Sequence, residues 1–134
     1  MVLQVIDKLF TVCKVEDYAC VDLQAEYVFL SKTDEELSLV CETSDTPPNV
    51  LAREDGWRAF RIEGTLDFSL VGILASITTL LADAGIGIFA ISTFNTDYIL
   101  VKAENLNPAL QVLAQNGYRV SVARNQAGAA GGYK

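Results

Sequence analysis

Histidine is absent from the 134-residue chain. Without imidazole, the commonest general base and the commonest neutral metal ligand are missing, and acid–base catalysis would have to rest on Asp or Lys alone. Cysteine is sparse: Cys13, Cys20 and Cys41 are odd in number and far apart. They form no dyad and no metal-binding spacing, so they read as buried, reduced thiols, with neither a disulfide nor a metal site expected. Cofactor motifs are missing as well, so no cofactor is expected. No apolar run approaches the roughly 20 residues of a membrane span, and the N-terminal MVLQVIDKLF lacks a basic flank and a cleavage site. A cytoplasmic, soluble protein with no membrane partner is the expectation. Basic residues are few, ten against seventeen acidic ones. A net charge of −7 repels a phosphate backbone, so nucleic acid is not an expected partner.

What is present is apolar: 51% of the residues are hydrophobic, enough for one good core or two small ones sharing a face. The charge divides the chain. Residues 1–56 carry a net −8 and residues 57–134 a net +1. The adjacent Pro47 and Pro48 lie just ahead of that division and exclude a central strand there. The expected organisation is an N-terminal half over 1–56, a second domain over 57–124 and a tail over 125–134, too poor in apolar residues to fold.

In the first half, Leu3 to Val15 favours one or two strands, with Asp7 and Lys8 suggesting a break. Glu16 to Glu26 reads as loop or short helix. YVFLS at Tyr27 to Ser31 and LSLVCE at Leu37 to Glu42, separated by TDEE, read as a hairpin. Val50 to Arg53 is expected to form at most a helical turn.

In the second half, WRAFRIE at Trp57 to Glu63 alternates as a strand. Leu70, Ile73, Leu74, Ile77, Leu80 and Leu81 recur on one helical face, predicting a helix from near Leu70 that Ala84-Gly85 ends. IGIFAIST at Ile86 to Thr93 is apolar on both faces, which predicts a central strand or one at a subunit contact. Asp97 to Ala103 follows as its hairpin partner. Asn107-Pro108 reads as a helix cap and first turn, Leu106, Leu110 and Leu113 as the buried stripe, and Tyr118 to Val122 as a last strand. The order is strand, helix, strand, strand, helix, strand. This is the α+β, ferredoxin-like βαββαβ arrangement, with helices on one face of a four-stranded antiparallel sheet.

Two clusters are candidates for binding. The turn TLDFSLVG at Thr65 to Gly72 leads into a helix whose first amides, near Leu70, Val71 and Gly72, lack intrahelical partners and can receive a carboxylate. Gly72 gives room either for a ligand or for close packing; Ser69 is a plain N-cap or a contact; Asp67 stabilises the turn or touches a ligand. In STFNTD at Ser92 to Asp97, Asn95 and Thr96 offer neutral hydrogen bonds and Asp97 a charged one, though the same residues suit an ordinary hairpin turn.

The stretch VGILASITTLLADAGIGIFAISTFNTDYILV, together with FTVCKV, DEELSLVC and GWRAFRIEGTLDFSLVGILA, resembles the ACT domain, a ferredoxin-like module that binds amino acids and regulates metabolic enzymes. More narrowly it is similar to small stand-alone bacterial proteins of that superfamily, to the tandem-ACT arginine sensors of the TOR pathway and to the regulatory part of aspartate kinases. The resemblance implies a degenerate ACT-like unit in residues 1–56 beside a regular one. It further implies a ligand gripped by Phe68, Ser69, Leu70, Val71 and Gly72, with Asp67 beside them, and by Phe94, Asn95, Thr96 and Asp97. A non-catalytic, small-molecule-binding regulatory module, its ligand an amino acid, is the resulting expectation. The alternative is a ligand-free interaction module, a homodimer formed through Phe89 and Ile91.

Overall fold

The computed structural model describes residues 1–63 and 72–123. They contain seven strands, β1 (Val2–Val15), β2 (Val28–Lys32), β3 (Leu37–Glu42), β4 (Val50–Ile62), β5 (Phe89–Ser92), β6 (Asp97–Lys102) and β7 (Arg119–Ala123), and two α-helices, α1 (Ile73–Asp83) and α2 (Leu106–Gln115). Contacts divide the chain into two units, one of Met1–Asp7 with the described residues from Arg58 on, the other of Lys8–Trp57. The units divide between Trp57 and Arg58, and the first seven residues go with the later part of the chain. β1 and β4 each contribute to both units.

The larger unit has the α+β, ferredoxin-like order β4-α1-β5-β6-α2-β7. Its core gathers Leu3, Val5, Phe60, Ile62, Ile99 and Val101 from the strands under Ile77 and Leu81 of α1 and Ala109 and Leu113 of α2. These are the positions at strand period two and helix period three to four, so each element buries one face. The sheet is wider than the four strands expected. The start of β1 enters between β4 and β7, pairing in parallel with β7 from Val2↔Arg119 to Ile6↔Ala123, and the strand order becomes β7-β1-β4-β6-β5.

The smaller unit is an antiparallel sheet in the order β2-β3-β1-β4. Cys13, Val15, Leu39 and Cys41 form its buried centre, and β2 and β3 make the hairpin anticipated from their sequence, with Val28↔Cys41 and Lys32↔Leu37 at its ends. Thr11 is the buried polar group here. Its hydroxyl donates to Asp55 Oδ1 at 2.7 Å and stands 3.0 Å from the Thr43 hydroxyl, while Arg53 holds the same carboxylate at 2.9 Å.

Several expectations are corrected. β1 is unbroken, because Asp7 and Lys8 stay extended and meet Arg58 at 3.3 Å and Glu42 at 3.9 Å from the strand. Val50 to Arg53 is strand, not a helical turn: it pairs with β1, and Val50 packs against the core of the smaller unit. Helix α1 begins at Ile73, three residues after Leu70. The apolar segment from Ile86 yields a short edge strand, β5, and not a central one; Ile86 itself is buried under α1 before the strand starts. Helix α2 begins at Leu106, so Asn107 and Pro108 lie in its first turn and the cap position falls to Asn105. The tail 125–134 lies outside the described residues.

Candidate functional site

Of the ten residues proposed from sequence, Asp67, Phe68, Ser69, Leu70 and Val71 lie outside the described residues. Gly72 occupies the cap position of α1 with φ +87°, a left-handed conformation that L side chains rarely adopt. A Cβ built there would meet nothing within 4 Å, so backbone conformation, not close packing, accounts for the glycine. Its carbonyl accepts the first helical bond from Ser76 N–H at 2.8 Å, and the amides of Ile73, Leu74 and Ala75 precede that bond.

Phe94, Asn95, Thr96 and Asp97 come together on the β5–β6 hairpin. Thr93 N–H and Thr93 Oγ1 both donate to Thr96 O at 2.9 Å, closing the turn. Ser92 Oγ donates to Asp97 Oδ1 at 2.5 Å across the last strand pair. Thr96 is buried, and its hydroxyl donates to Ile62 O of β4 at 3.0 Å. Phe94, 79% exposed, and Asn95 form the tip. The hairpin is therefore anchored at the end of β4, where the chain sets out toward α1. Thr96 and Asp97 both make structural bonds in the hairpin, while Phe94 and Asn95 face outward.

Beside this anchor lies a cluster that the sequence did not single out. Arg61 of β4 donates through Nε to Gln4 Oε1 and through a terminal nitrogen to the Tyr98 hydroxyl, both at 3.0 Å, with the guanidinium carbon 5.7 Å from the Tyr98 ring centre. Gln4 in turn donates to Glu63 at 3.1 Å. Arg61 read as the polar face of an alternating strand; its partners are 57 and 37 residues away, and only β1 insertion brings Gln4 alongside. The arrangement sets a guanidinium next to Tyr98, on the sheet face opposite to that of Asp97, since consecutive residues of β6 alternate in direction.

The perturbed titrating groups lie in the smaller unit. Burial pushes the Cys41 thiol up to about 11, against a partial offset from its contact with Thr46, and burial likewise raises Cys13. Both are thereby worse nucleophiles than an exposed cysteine. Burial also raises Glu42, with Lys8 opposing. Among the described residues no group of His, Cys, Asp and Glu has a metal-binding arrangement. No described helix is long and apolar enough to cross a membrane.

The strand order, the helix-entry glycine and the β5–β6 hairpin are the features to compare with known proteins. Residues 52–115 match the ACT domain. No curated protein matches the chain. Among solved structures, protein Atu0741 of Agrobacterium tumefaciens superposes with a TM-score of 0.81 at 29% identity, over 92% of this chain and 94% of that one. A Vibrio cholerae protein described as of unknown function and a possible transport protein gives 0.65 at 24% identity, over 84% of this chain and 87% of its own. The ligand-free regulatory subunit of aspartate kinase from Thermus thermophilus gives 0.61 at 9% identity, over 86% and 97%. The last two likenesses speak to the fold, and the ACT match covers β4 from Ala52 through α2 to Gln115.

Proposed function

We propose that the chain is a non-catalytic regulatory module that binds an amino acid at the end of β4, between the segment entering α1 and the β5–β6 hairpin. The observation that carries this reading is the Thr96–Ile62 bond at 3.0 Å, which ties the hairpin to the strand end from which the helix-entry segment departs. Phe94, Asn95 and Asp97 on the hairpin, and Asp67, Phe68, Ser69, Leu70, Val71 and Gly72 on the entering segment, are the proposed contacts. Asp97 supplies the charge that a ligand ammonium calls for. The ACT match over 52–115 and the likeness to an aspartate kinase regulatory subunit support the reading. Residues 1–56 would serve as the degenerate ACT-like partner of the regular unit, in a cytoplasmic protein.

A thermal-shift screen of the twenty amino acids tests it. A ligand at 100 times its dissociation constant stabilises the fold by about 2.7 kcal/mol, a readily measured rise in melting temperature. The reading predicts that one amino acid or a chemically related few raise the midpoint and that Asp97→Asn abolishes the rise. No shift at millimolar concentration for any of the twenty would overturn it.

A second reading draws on the position of β5 at the edge of its sheet with Phe89 and Ile91 half-buried. An exposed edge of this kind pairs readily with another chain, so a homodimer through β5 is the alternative. Light scattering at high concentration separates the two, since a monomer that still binds an amino acid removes the second.

A further inference from the structure

The sheet of the smaller unit ends on β2, which among the described strands has β3 as its neighbour on one side and nothing on the other. Thr33 N–H donates to Glu36 O at 3.0 Å, and that bond sets the alternation of the hairpin. Counting from it, Ser31 and Phe29 are the residues that exchange backbone bonds with Ser38 and Val40, while Val28, Leu30 and Lys32 turn their peptide groups away from β3. These outward groups form an open edge along five residues, about 17 Å of strand. Leu30 on this edge is 41% exposed, and it shares a face with Val28, which packs against the buried Cys13, Leu39 and Cys41.

Charge sets this edge apart as well. Residues 16–36 hold seven carboxylates against Lys32 alone. All seven are exposed, and none takes part in a described ion pair. They bracket the strand: Glu26 stands two positions before Val28, and Asp34, Glu35 and Glu36 follow just past Lys32. An open strand edge is a template for pairing with another chain. Two copies of this edge repel one another, so the field disfavours self-pairing and favours an incoming strand of opposite charge.

We infer that the β2 edge is a docking site for an extended segment of another protein, with an apolar centre and Lys or Arg at both ends. The segment adds as a further strand, its main chain bonding the outward peptide groups of Val28, Leu30 and Lys32. Main-chain bonds of this kind supply affinity, and the side chains supply choice. An apolar residue of the segment covers Leu30 and extends the apolar face that Val28 begins. The basic ends meet Glu26 on one side and Asp34, Glu35 and Glu36 on the other. Lys32 disfavours a cation directly opposite itself, so the basic residues lie beyond the five paired positions. The inference goes beyond the amino-acid reading and does not rest on it.

Amide chemical shifts and hydrogen exchange of the whole chain, titrated with three synthetic peptides at millimolar concentration, test the inference. The peptides are KKVTVTVKK, its acidic counterpart EEVTVTVEE and the proline-interrupted KKVTPTVKK, which keeps the charge but breaks the strand. KKVTVTVKK is expected to move Val28, Leu30 and Lys32 saturably and to slow exchange of their amides. The other two are expected to bind at least about tenfold more weakly. Leu30→Pro removes an outward donor that takes no part in the ladder with β3, and is expected to abolish the response while the hairpin stays formed. Glu35→Gln with Glu36→Gln alters only exposed side chains of the turn, and is expected to weaken KKVTVTVKK by about threefold or more. The inference is overturned if no saturable shift appears on β2, or if either control peptide binds as well as KKVTVTVKK. A response that survives Leu30→Pro, or an affinity that the two Gln substitutions leave unchanged, overturns it too. So do shifts confined to Phe89–Ser92.

Discussion

Thr96 illustrates how one hydroxyl can decide the place of a loop. Its bond to Ile62 O is buried, so deleting the donor leaves a carbonyl that water does not reach. Thr96→Val is expected to destabilise the protein by about 1–3 kcal/mol, with Thr96→Ser recovering most of it, read as the midpoint of urea unfolding. Cys41 makes a second point at this scale. Its folded pKa, about 11, lies above the ordinary thiol value of 9, so the fold favours the protonated form. The stability this contributes is whole below pH 9 and is lost as pH rises through 11, because the unfolded chain ionises first. Unfolding curves across that window should fall by roughly 2 kcal/mol more in the parent than in Cys41→Val. On spacing alone Thr96 reads as an ordinary turn residue, and the ligand contact is what the resemblance implies; the bond it makes is invisible in the sequence because its partner lies 34 positions earlier in the chain. The buried state of Cys13 and Cys41, by contrast, follows from their places in apolar strand patterns, while Cys20, expected to be buried with them, is exposed in the loop between β1 and β2.

Elements with strong local periodicity were legible: the α1 stripe of Ile73, Ile77 and Leu81, the β2–β3 hairpin, and β6 all stand where alternation or helical spacing puts them. Elements stabilised mainly by a distant partner were not. The first half of β4, from Leu51 to Asp55, is exposed and shows no apolar alternation, and its pairing with β1 makes it strand. Within that strand Gly56 has φ +84°, a left-handed conformation that glycine adopts without the cost other residues meet. Nothing crowds a Cβ there, so the cost of Gly56→Ala is conformational alone, about 1–2 kcal/mol, and should appear as a lowered melting temperature without a change in secondary structure. Helix starts were misjudged for a related reason. Asn107-Pro108 has the look of a cap, but the preceding tight turn over Ala103–Asn105 already carries the chain into α2.

For the whole molecule, the decisive feature is that the first residues complete a unit made mostly from the second half. Leu3 is fully buried among Phe60, Ile77 and Leu113, and β7 has β1 as its partner. A fragment of residues 57–134 therefore lacks both a core strand and the partner of its last strand. It is expected to be unfolded, with poorly dispersed amide resonances, although it contains the complete βαββαβ order. Well-dispersed resonances from that fragment would contradict the dependence of this core on β1. The same insertion widens the sheet to five strands, and Val120 and Val122 of β7 remain exposed.

The order of strands and helices, the buried faces and the hairpin that carries Phe94 to Asp97 were determined by the sequence alone, because each rests on residues within a few positions of one another. Which strands became neighbours, that Ile62 receives Thr96, that Arg61 meets both Gln4 and Tyr98, and that the apolar Phe89–Ser92 run ended at an edge were decided only in three dimensions. Hydrophobic periodicity specifies how much surface each segment must bury and on which side. It does not specify the partner, which depends on contacts between segments tens of residues apart.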